Sequence, residues 1–362
     1  MARKAVSQTM LVSFLMPVYN AGSTIARAVD SVLGQRGLAA TEIELVAVDD
    51  GSTDNTPEVL ERLARRESRL RLVRLPHQGQ VGAAIEGQRH LEGNFIARMD
   101  ADDIACPDRL AEQLKLMHSD PGLGLVGASV RYFPRKYVKA GALHYEAWLN
   151  SFCQYRGGGT RTANDKIRRE IFVECPLAGP TFLVRRQAFL QAGGYRDNHN
   201  WPEDYDLVFR VAGAGWRLGG ATGEGKKALH LWREHPARAS RNDPRYSEKS
   251  FRSIKLHYLL RDRLDNGRKP VSICGAGPVG KAWLKELQAA GVEVRFLIEV
   301  NPRKIGKTIH GVPVVRAEQL SRLDCGPGLI LGAVGQKGAR ESIRANLGPL
   351  GLVEGEDYIF IA

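Results

Sequence analysis

The sequence predicts an α/β protein: a mostly parallel sheet with helices on both faces, followed by a smaller α/β domain of dinucleotide-fold type. Three observations carry this. Strand-sized apolar runs alternate with stretches of helical period, the pattern of a parallel sheet covered on both faces. The runs end in acidic or turn-forming clusters, at the strand ends where such sheets bind ligands. After Asp265-Asn266-Gly267-Arg268-Lys269-Pro270 the alternation restarts with a glycine turn between a strand and a helix.

Leu11–Pro17 is the first apolar run and opens into Val18-Tyr19-Asn20-Ala21-Gly22-Ser23, after which Ile25, Val29, Val32 and Leu33 recur at helical spacing. Ile43–Val48 is the second and ends in Asp49-Asp50-Gly51-Ser52-Thr53-Asp54. A helix marked by Val59, Leu60 and Leu63 leads to a third strand, Leu70–Leu75, and Gly79–Leu91 is the next helix. The fourth run, from Phe95, carries directly into Asp100, Asp102 and Asp103. Carboxylates this close repel, and a divalent cation holding a diphosphate is a natural counter-charge, because hard metals take oxygen from one or two carboxylates plus phosphate. A solvated acidic turn before a helix, with Pro107 at its first position, is the alternative.

Farther along, Pro180–Val184 reads as a strand leading into the basic start of a helix at Arg185-Arg186. Ala192-Gly193-Gly194-Tyr195 is a glycine turn that lets backbone approach a ligand. Trp201-Pro202-Glu203-Asp204 opens a helix with Leu207, Val208 and Val211 on one side. Acids there are ordinary partners of the helix dipole. Trp148–Phe152 identifies no acceptor, and the Gly157–Gly159 run suggests a mobile loop over the site.

With four segments in order, residues 11 to about 118 resemble the nucleotide-binding half of a family 2 glycosyltransferase of the GT-A fold. The segments are Val-Ser-Phe-Leu-Met-Pro-Val-Tyr-Asn (12–20), Val-Asp-Asp-Gly-Ser-Thr-Asp (48–54), Gly79–Gly87 and Met-Asp-Ala-Asp-Asp (99–103). The resemblance extends over about the first 245 residues. It implies that Asp50 contacts the base, usually uracil, and that backbone from Pro17 to Tyr19 cradles the nucleoside. Asp100 and Asp102 become an Asp-X-Asp pair, with Asp102 the direct ligand of Mn²⁺ or Mg²⁺. The Glu203-Asp204 pair becomes the acceptor-side motif, with Asp204 the general base. Leu231–Arg241 resembles the segment that closes over the diphosphate. His235 is then a second metal ligand, His230 a competitor for that role, and Arg233, Arg238 and Arg241 candidates for phosphate pairing.

The carboxyl-terminal pattern fits a dinucleotide fingerprint: strand Val271–Cys274, glycines at Gly275, Gly277 and Gly280, a helix face of Val279, Trp283 and Leu287, and strand Val292–Ile298 ending in Glu299. This segment resembles small Rossmann-like domains appended to sugar-processing enzymes. A nucleotide site there and a module that only docks or dimerises both remain open.

The expected organisation is a transferase domain over 1–250, divided near 118/119 into nucleotide-binding and acceptor halves, a helical linker over 251–267, and the Rossmann-like domain over 268–362. The chain has 362 residues, 43% hydrophobic and 25% charged, ordinary globular material. No apolar run is long enough for a transmembrane helix or a signal peptide. Five cysteines without metal-type spacing suit a reducing cytoplasm. The formal charge of +12 suits anionic nucleotide sugars and a cytoplasmic membrane face, and no nucleic-acid-binding motif accompanies it.

The expected function is metal-dependent, inverting transfer from a nucleotide donor, uridine diphosphate-linked, to a saccharide or lipid-linked acceptor in surface polysaccharide or glycan synthesis. One rival is an NAD(P)-dependent oxidoreductase or dinucleotide-regulated protein acting through the carboxyl-terminal domain. Another is a non-enzymatic nucleotide-sugar-binding subunit.

Overall fold

A computed structural model describes residues 9–38, 40–153, 159–197, 200–322, 326–336 and 338–362. The amino-terminal eight residues, most of the glycine run at 157–159, and Cys325 lie outside them. The chain divides into two compact units, Met1–Ile167 with Pro176–Tyr246, and Arg168–Cys175 with Ser247–Ala362. Thus residues 168–175 belong with the second unit, and so does the helix that follows Tyr246.

The strands of the first unit are β1 (Met10–Val18), β2 (Thr41–Asp49), β3 (Leu70–Arg74), β4 (Phe95–Arg98), β5 (Ile104–Ala105), β6 (Leu123–Ala128), β7 (Val130–Phe133), β8 (Leu183–Arg185), β9 (Arg217–Ala221) and β10 (His230–Arg233). Seven form one sheet in the order β3-β2-β1-β4-β8-β6-β9. The strands β1 to β4 are mutually parallel and only β8 runs against its neighbours. Parallel neighbours need crossovers, supplied by the helices Ile25–Leu33, Thr56–Ala64 and Gly79–Gly87. Both faces are therefore covered, and Val12, Phe14, Leu15, Met16 and Val18 are each no more than 1% exposed. This is why β1 reads as an apolar run rather than an alternation. The chain steps from β1 outward to β3, then returns to place β4 on the other side of β1. The carboxyl ends of β1 and β4 therefore mark the reversal at which open parallel sheets take ligands.

A second, three-stranded sheet has the order β5-β10-β7. Strand β10 pairs antiparallel with β5 and parallel with β7. This small sheet carries Asp102 and Asp103, just before β5, against Arg233 and His235 at the end of β10. The strand expected over Pro180–Val184 is instead a 3₁₀ turn, Gly179–Thr181, then β8 and the helix Arg186–Gln191. Pro180 has no N–H for a sheet but fits the first turn of a helix. Likewise the helix expected to begin at Pro107 begins at Arg109.

The second unit holds β11 (Val271–Cys274), β12 (Val294–Ile298), β13 (Thr308–Ile309), β14 (Val312–Val315), β15 (Leu329–Gly332) and β16 (Tyr358–Phe360). Their order is β13-β14-β12-β11-β15-β16, parallel except for β13. The helices Pro278–Ala289 and Ala339–Leu347 follow β11 and β15. In the helix Glu248–Asp262, the buried Lys255 donates to the carbonyls of Val173 (3.2 Å) and Ile361 (2.9 Å), fastening the 168–175 segment and the chain end. Among the described residues no helix is long and apolar enough to cross a membrane.

Candidate active site

At the end of β2, Asp50 is 2% exposed and its two carboxylate oxygens accept from the backbone N–H groups of Gln78 and Gly79, both at 2.8 Å. His77 Nδ1 lies 2.8 Å from the same carboxylate. Gly51 makes this possible: it sits at φ +71°, and a Cβ there would stand 2.8 Å from the His77 nitrogen. Tyr19, half exposed beyond Pro17 and Val18 at the end of β1, stacks on the His77 ring with centroids 4.2 Å apart. Asn20 accepts from the Thr53 N–H at 2.8 Å, joining the β1 and β2 ends into one floor. A flat aromatic surface beside a carboxylate that keeps one spare lone pair can take a planar base bearing an N–H donor.

The acidic cluster separates into three environments. Asp103 is 2% exposed and accepts from His230 Nε2 at 2.8 Å and from the Arg233 N–H at 2.7 Å. Arg109, fully buried, donates to His230 Nδ1 at 3.1 Å, which fixes the proton on Nε2. Both ring nitrogens are thus committed, and His230 is closed to a metal. Asp100 faces the guanidinium of Arg98 at 3.3 Å. Asp100 is 28% and Asp102 32% exposed; Asp102 has His235 Nε2 3.0 Å away, itself 37% exposed. Burial, then the charges of Asp103 and Asp100, push the Asp102 carboxyl up to about 6, with His235 opposing. Among the described residues no group of three or more His, Cys, Asp or Glu side chains is placed to hold a metal. The accessible Asp102–His235 pair still fits a cation whose other ligands are phosphate and water, and a carboxylate raised by like charges is one that a cation would relieve.

Opposite stands the start of the helix Glu203–Gly213. Glu203 is 4% exposed, with Arg98 3.8 Å away, the Gln80 amide at 3.4 Å and the Tyr246 hydroxyl at 3.5 Å. Asp204 accepts from the Tyr205 N–H at 2.7 Å and rests on Gly179, where a Cβ would stand 2.3 Å from Asp204 Oδ2. Burial, then the charge of Glu203, push the Asp204 carboxyl up to about 7, the range of a base working near neutrality. Arg98, 4% exposed, ties the two sides together: one guanidinium faces Asp100 from β4 and Glu203 from the helix.

The arginines expected at the diphosphate are held differently. Arg233 Nε donates to the Asp102 carbonyl at 2.6 Å, and Arg238 and Arg241 pair with Glu234 at 3.4 and 2.7 Å. Arg238 also lies over the Trp232 ring, 4.5 Å from its centroid. Sequence reasoning missed Arg98, Arg109, His77, Glu234 and Tyr246. For Arg98 a signal existed: a charge inside an otherwise apolar strand run needs a partner.

In the second unit, Gly275 stands at φ +110°, and a Cβ on Gly280 would lie 1.8 Å from the Gly275 carbonyl oxygen, so both serve close strand–helix packing. A Cβ on Gly277 would meet nothing within 4 Å. The Glu299 carboxylate is occupied internally, accepting from the N–H groups of Ala276, Val300 and Asn301 and pairing with Lys304 at 3.1 Å.

Comparison with known proteins matches these features. The model of glycosyl transferase family 2 matches residues 13–193, half of the chain. Hyaluronan synthase of Pasteurella multocida is 34% identical over 121 residues, 33% of this chain and 12% of its own length. Succinoglycan biosynthesis protein ExoO of Rhizobium meliloti is 36% identical over 112 residues, 31% of each chain. The chain thus spans less than a third of either relative. In fold, S. aureus TarS 1–349, solved in complex with UDP-GlcNAc, aligns with a TM-score of 0.53 at 17% identity, over 70% of this chain and 68% of that one. The chain belongs to glycosyl transferase family 2 and shares the fold of the TarS structure.

Proposed function

We propose that the protein transfers a sugar from a nucleotide donor to a saccharide hydroxyl with inversion, in a metal-assisted reaction in which Asp204 is the base. One observation carries this reading. The accessible Asp102–His235 pair and the raised Asp204 belong to two acidic clusters that a single buried guanidinium, Arg98, holds together through Asp100 and Glu203. Asp50 and the Tyr19–His77 stack receive the base, and a uridine diphosphate-linked donor suits a carboxylate that accepts from a base N–H.

Asp102 and His235 would hold Mn²⁺ or Mg²⁺, which when bound supplies Lewis-acid stabilisation to the departing diphosphate. Asp204 accepts the acceptor's hydroxyl proton as that oxygen bonds to the anomeric carbon. The bond from that carbon to the diphosphate breaks with its electron pair leaving on the diphosphate. Attack from the face opposite the leaving group inverts the centre, and no covalent sugar intermediate is needed. Gly179 and Tyr205 hold the base in place, and Glu203 keeps its proton affinity high.

The relatives' names, hyaluronan synthase and succinoglycan biosynthesis protein, support a saccharide acceptor in surface polysaccharide synthesis. Five cysteines without metal-type spacing support a cytoplasmic site of action, and the net charge of +12 supports peripheral attachment where lipid-linked acceptors reside. Sedimentation with anionic vesicles tests the attachment. No observation favours the oxidoreductase alternative. The deciding experiment is a donor screen that measures nucleotide release with and without saccharide acceptors. Acceptor-stimulated release that requires a divalent cation and fails in Asp204→Asn is expected. Release indifferent to both would refute the mechanism.

A further inference from the structure

The second unit contains a cleft of about 580 Å³, within the range of small-molecule sites. Its floor is made by the carboxyl ends of four parallel strands: Gly275 after β11, Ile298 closing β12, Arg316 after β14 and Val334 after β15. The chain passes from β11 to β12 on one side and later places β15 on the other. The cleft therefore sits where the strand order reverses, the position at which open parallel sheets take ligands. The helix Ala339–Leu347 forms one wall.

Its polar lining divides sharply. Of the lining, Glu299 is satisfied by three backbone N–H groups and Lys304; on the wall helix, but outside the lining, Arg344 pairs with Glu354 and Arg340 with Glu170. By contrast, the side chains of Arg316, Glu318, Gln336, Ser342 and Asn346 line the cleft without a hydrogen-bond or ion-pair partner among the described residues. Between them stand the branched apolar side chains of Ile298, Val334 and Ile343. Apolar flanks suit the faces of a planar ring, Gln336 and Asn346 offer both donors and acceptors to its edge, and Arg316 offers a cation to an anionic group.

Three facts argue against a dinucleotide. The acid that would hold the ribose, Glu299, has its oxygens committed. It also consumes the Ala276 N–H of the glycine turn, one of the donors a bridging pyrophosphate would use. The cleft touches Gly275 but does not extend along Gly277 and Pro278. We propose that this cleft binds a single nucleotide, its base between Ile298, Val334 and Ile343, its ribose at Glu318 and its phosphate at Arg316. The site is independent of the transferase site and does not rest on the reading given to it.

Calorimetry on the full chain in EDTA tests the assignment, with AMP, GMP, UMP and CMP as probes, NAD⁺ as the dinucleotide arm and inorganic phosphate as the ion-only arm. At least one nucleoside monophosphate binds one per chain. Its affinity is unchanged in Asp50→Asn, which disables the base site of the first unit. It falls at least about tenfold in Arg316→Glu, and binding is lost in Ser342→Trp, which fills the cleft. Arg316 and Ser342 are both exposed, so wild-type melting temperatures are expected, and if the tryptophan perturbs folding the Arg316 variant decides alone. The proposal is overturned if none of the four binds, if binding vanishes in Asp50→Asn yet survives Arg316→Glu, if phosphate binds as tightly as the nucleotide, or if NAD⁺ binds more tightly than all four.

Discussion

Replacing Glu203 by Gln removes a charge and leaves the shape. The amide oxygen can still face the Arg98 guanidinium, 3.8 Å away, and the Gln80 amide at 3.4 Å, while the new NH₂ can donate to the Tyr246 hydroxyl at 3.5 Å. What changes is the field at Asp204. Burial is the larger cause of its rise to about 7, and the negative charge of Glu203 is the next. Arg98 would also lose one of the two anions it faces and act more strongly on Asp204. Both changes favour the ionised base. Close charges in buried sites move a carboxyl by about one to three units, and each unit is about 1.36 kcal/mol. The wild-type kcat should therefore rise with pH through a limb near 7, as the base must be ionised to accept a proton. In Glu203→Gln the limb should move acidward by about one unit or more, and the plateau should fall because a weaker base drives proton removal less. The assay is nucleotide release at saturating donor and acceptor across about pH 5 to 9. An unmoved limb in the variant would refute the assignment of Asp204 as the titrating base.

The other expectations concern the same framework. Asp204→Asn should lower turnover by about two decades or more with donor affinity near normal. The Asp204 pKa is raised in the folded state, so its contribution to stability is present at low pH and lost as pH rises through about 7. Asparagine does not ionise, so the variant should melt above wild type at alkaline pH and lose that advantage as pH falls below 7. Asp102→Asn should abolish the part of UDP binding that depends on Mn²⁺ while sparing the rest, as calorimetry would show; metal-enhanced binding in that variant would exclude Asp102 as a ligand. Arg109→Met should destabilise by about 3 kcal/mol or more, read from denaturant midpoints, because the carbonyls of Arg98 and Pro180 at 2.8 and 3.0 Å and His230 Nδ1 all lose their donor. Gly179→Ala should stop turnover without weakening UDP binding, since its Cβ would displace Asp204 Oδ2; an active Gly179→Ala would show that the base tolerates displacement.

The parallel half of the first sheet was legible because burial on both faces writes each strand as an apolar run. The acids at their ends were legible because nothing in a core tolerates them unpaired. The helix at Glu203 was legible from Pro202 and the periodicity of Leu207, Val208 and Val211. The small sheet β5-β10-β7 was not. Its strands are two to four residues long, too short for a period to register, and they pair across more than a hundred residues. That sheet determines which acid meets which histidine, so Asp102 with His235 and Asp103 with His230 could not be separated by spacing. Arg109 and Arg233 were hidden for a related reason: an arginine that looks like surface charge can spend its guanidinium donors on backbone carbonyls. In the second unit, the position of Glu299 about twenty residues after the glycine turn fitted the fingerprint, but only geometry showed its oxygens to be taken.

Under the proposed mechanism, the distribution of these charges determines how donor and metal would bind. Glu203, Asp103 and the partly covered Asp102 and Asp204 are all raised, so the ligand-free cleft disfavours its own anions. A bare diphosphate entering such a cleft would meet repulsion, because the nearby Arg238 and Arg241 are already turned to Glu234. A bare cation would be welcomed only weakly, by the partly exposed Asp102 carboxylate and one imidazole, with Asp100 facing Arg98. Arriving together, the cation would relieve Asp102 and screen the diphosphate, and each partner would remove the obstacle to the other. Reciprocity of binding then requires that UDP strengthen metal binding by the same factor by which metal strengthens UDP binding. The proton inventory follows: a carboxyl raised to about 6 at Asp102 must be ionised to take the metal, so the joint affinity should weaken as pH falls below 6, while the limb assigned to Asp204 lies near 7.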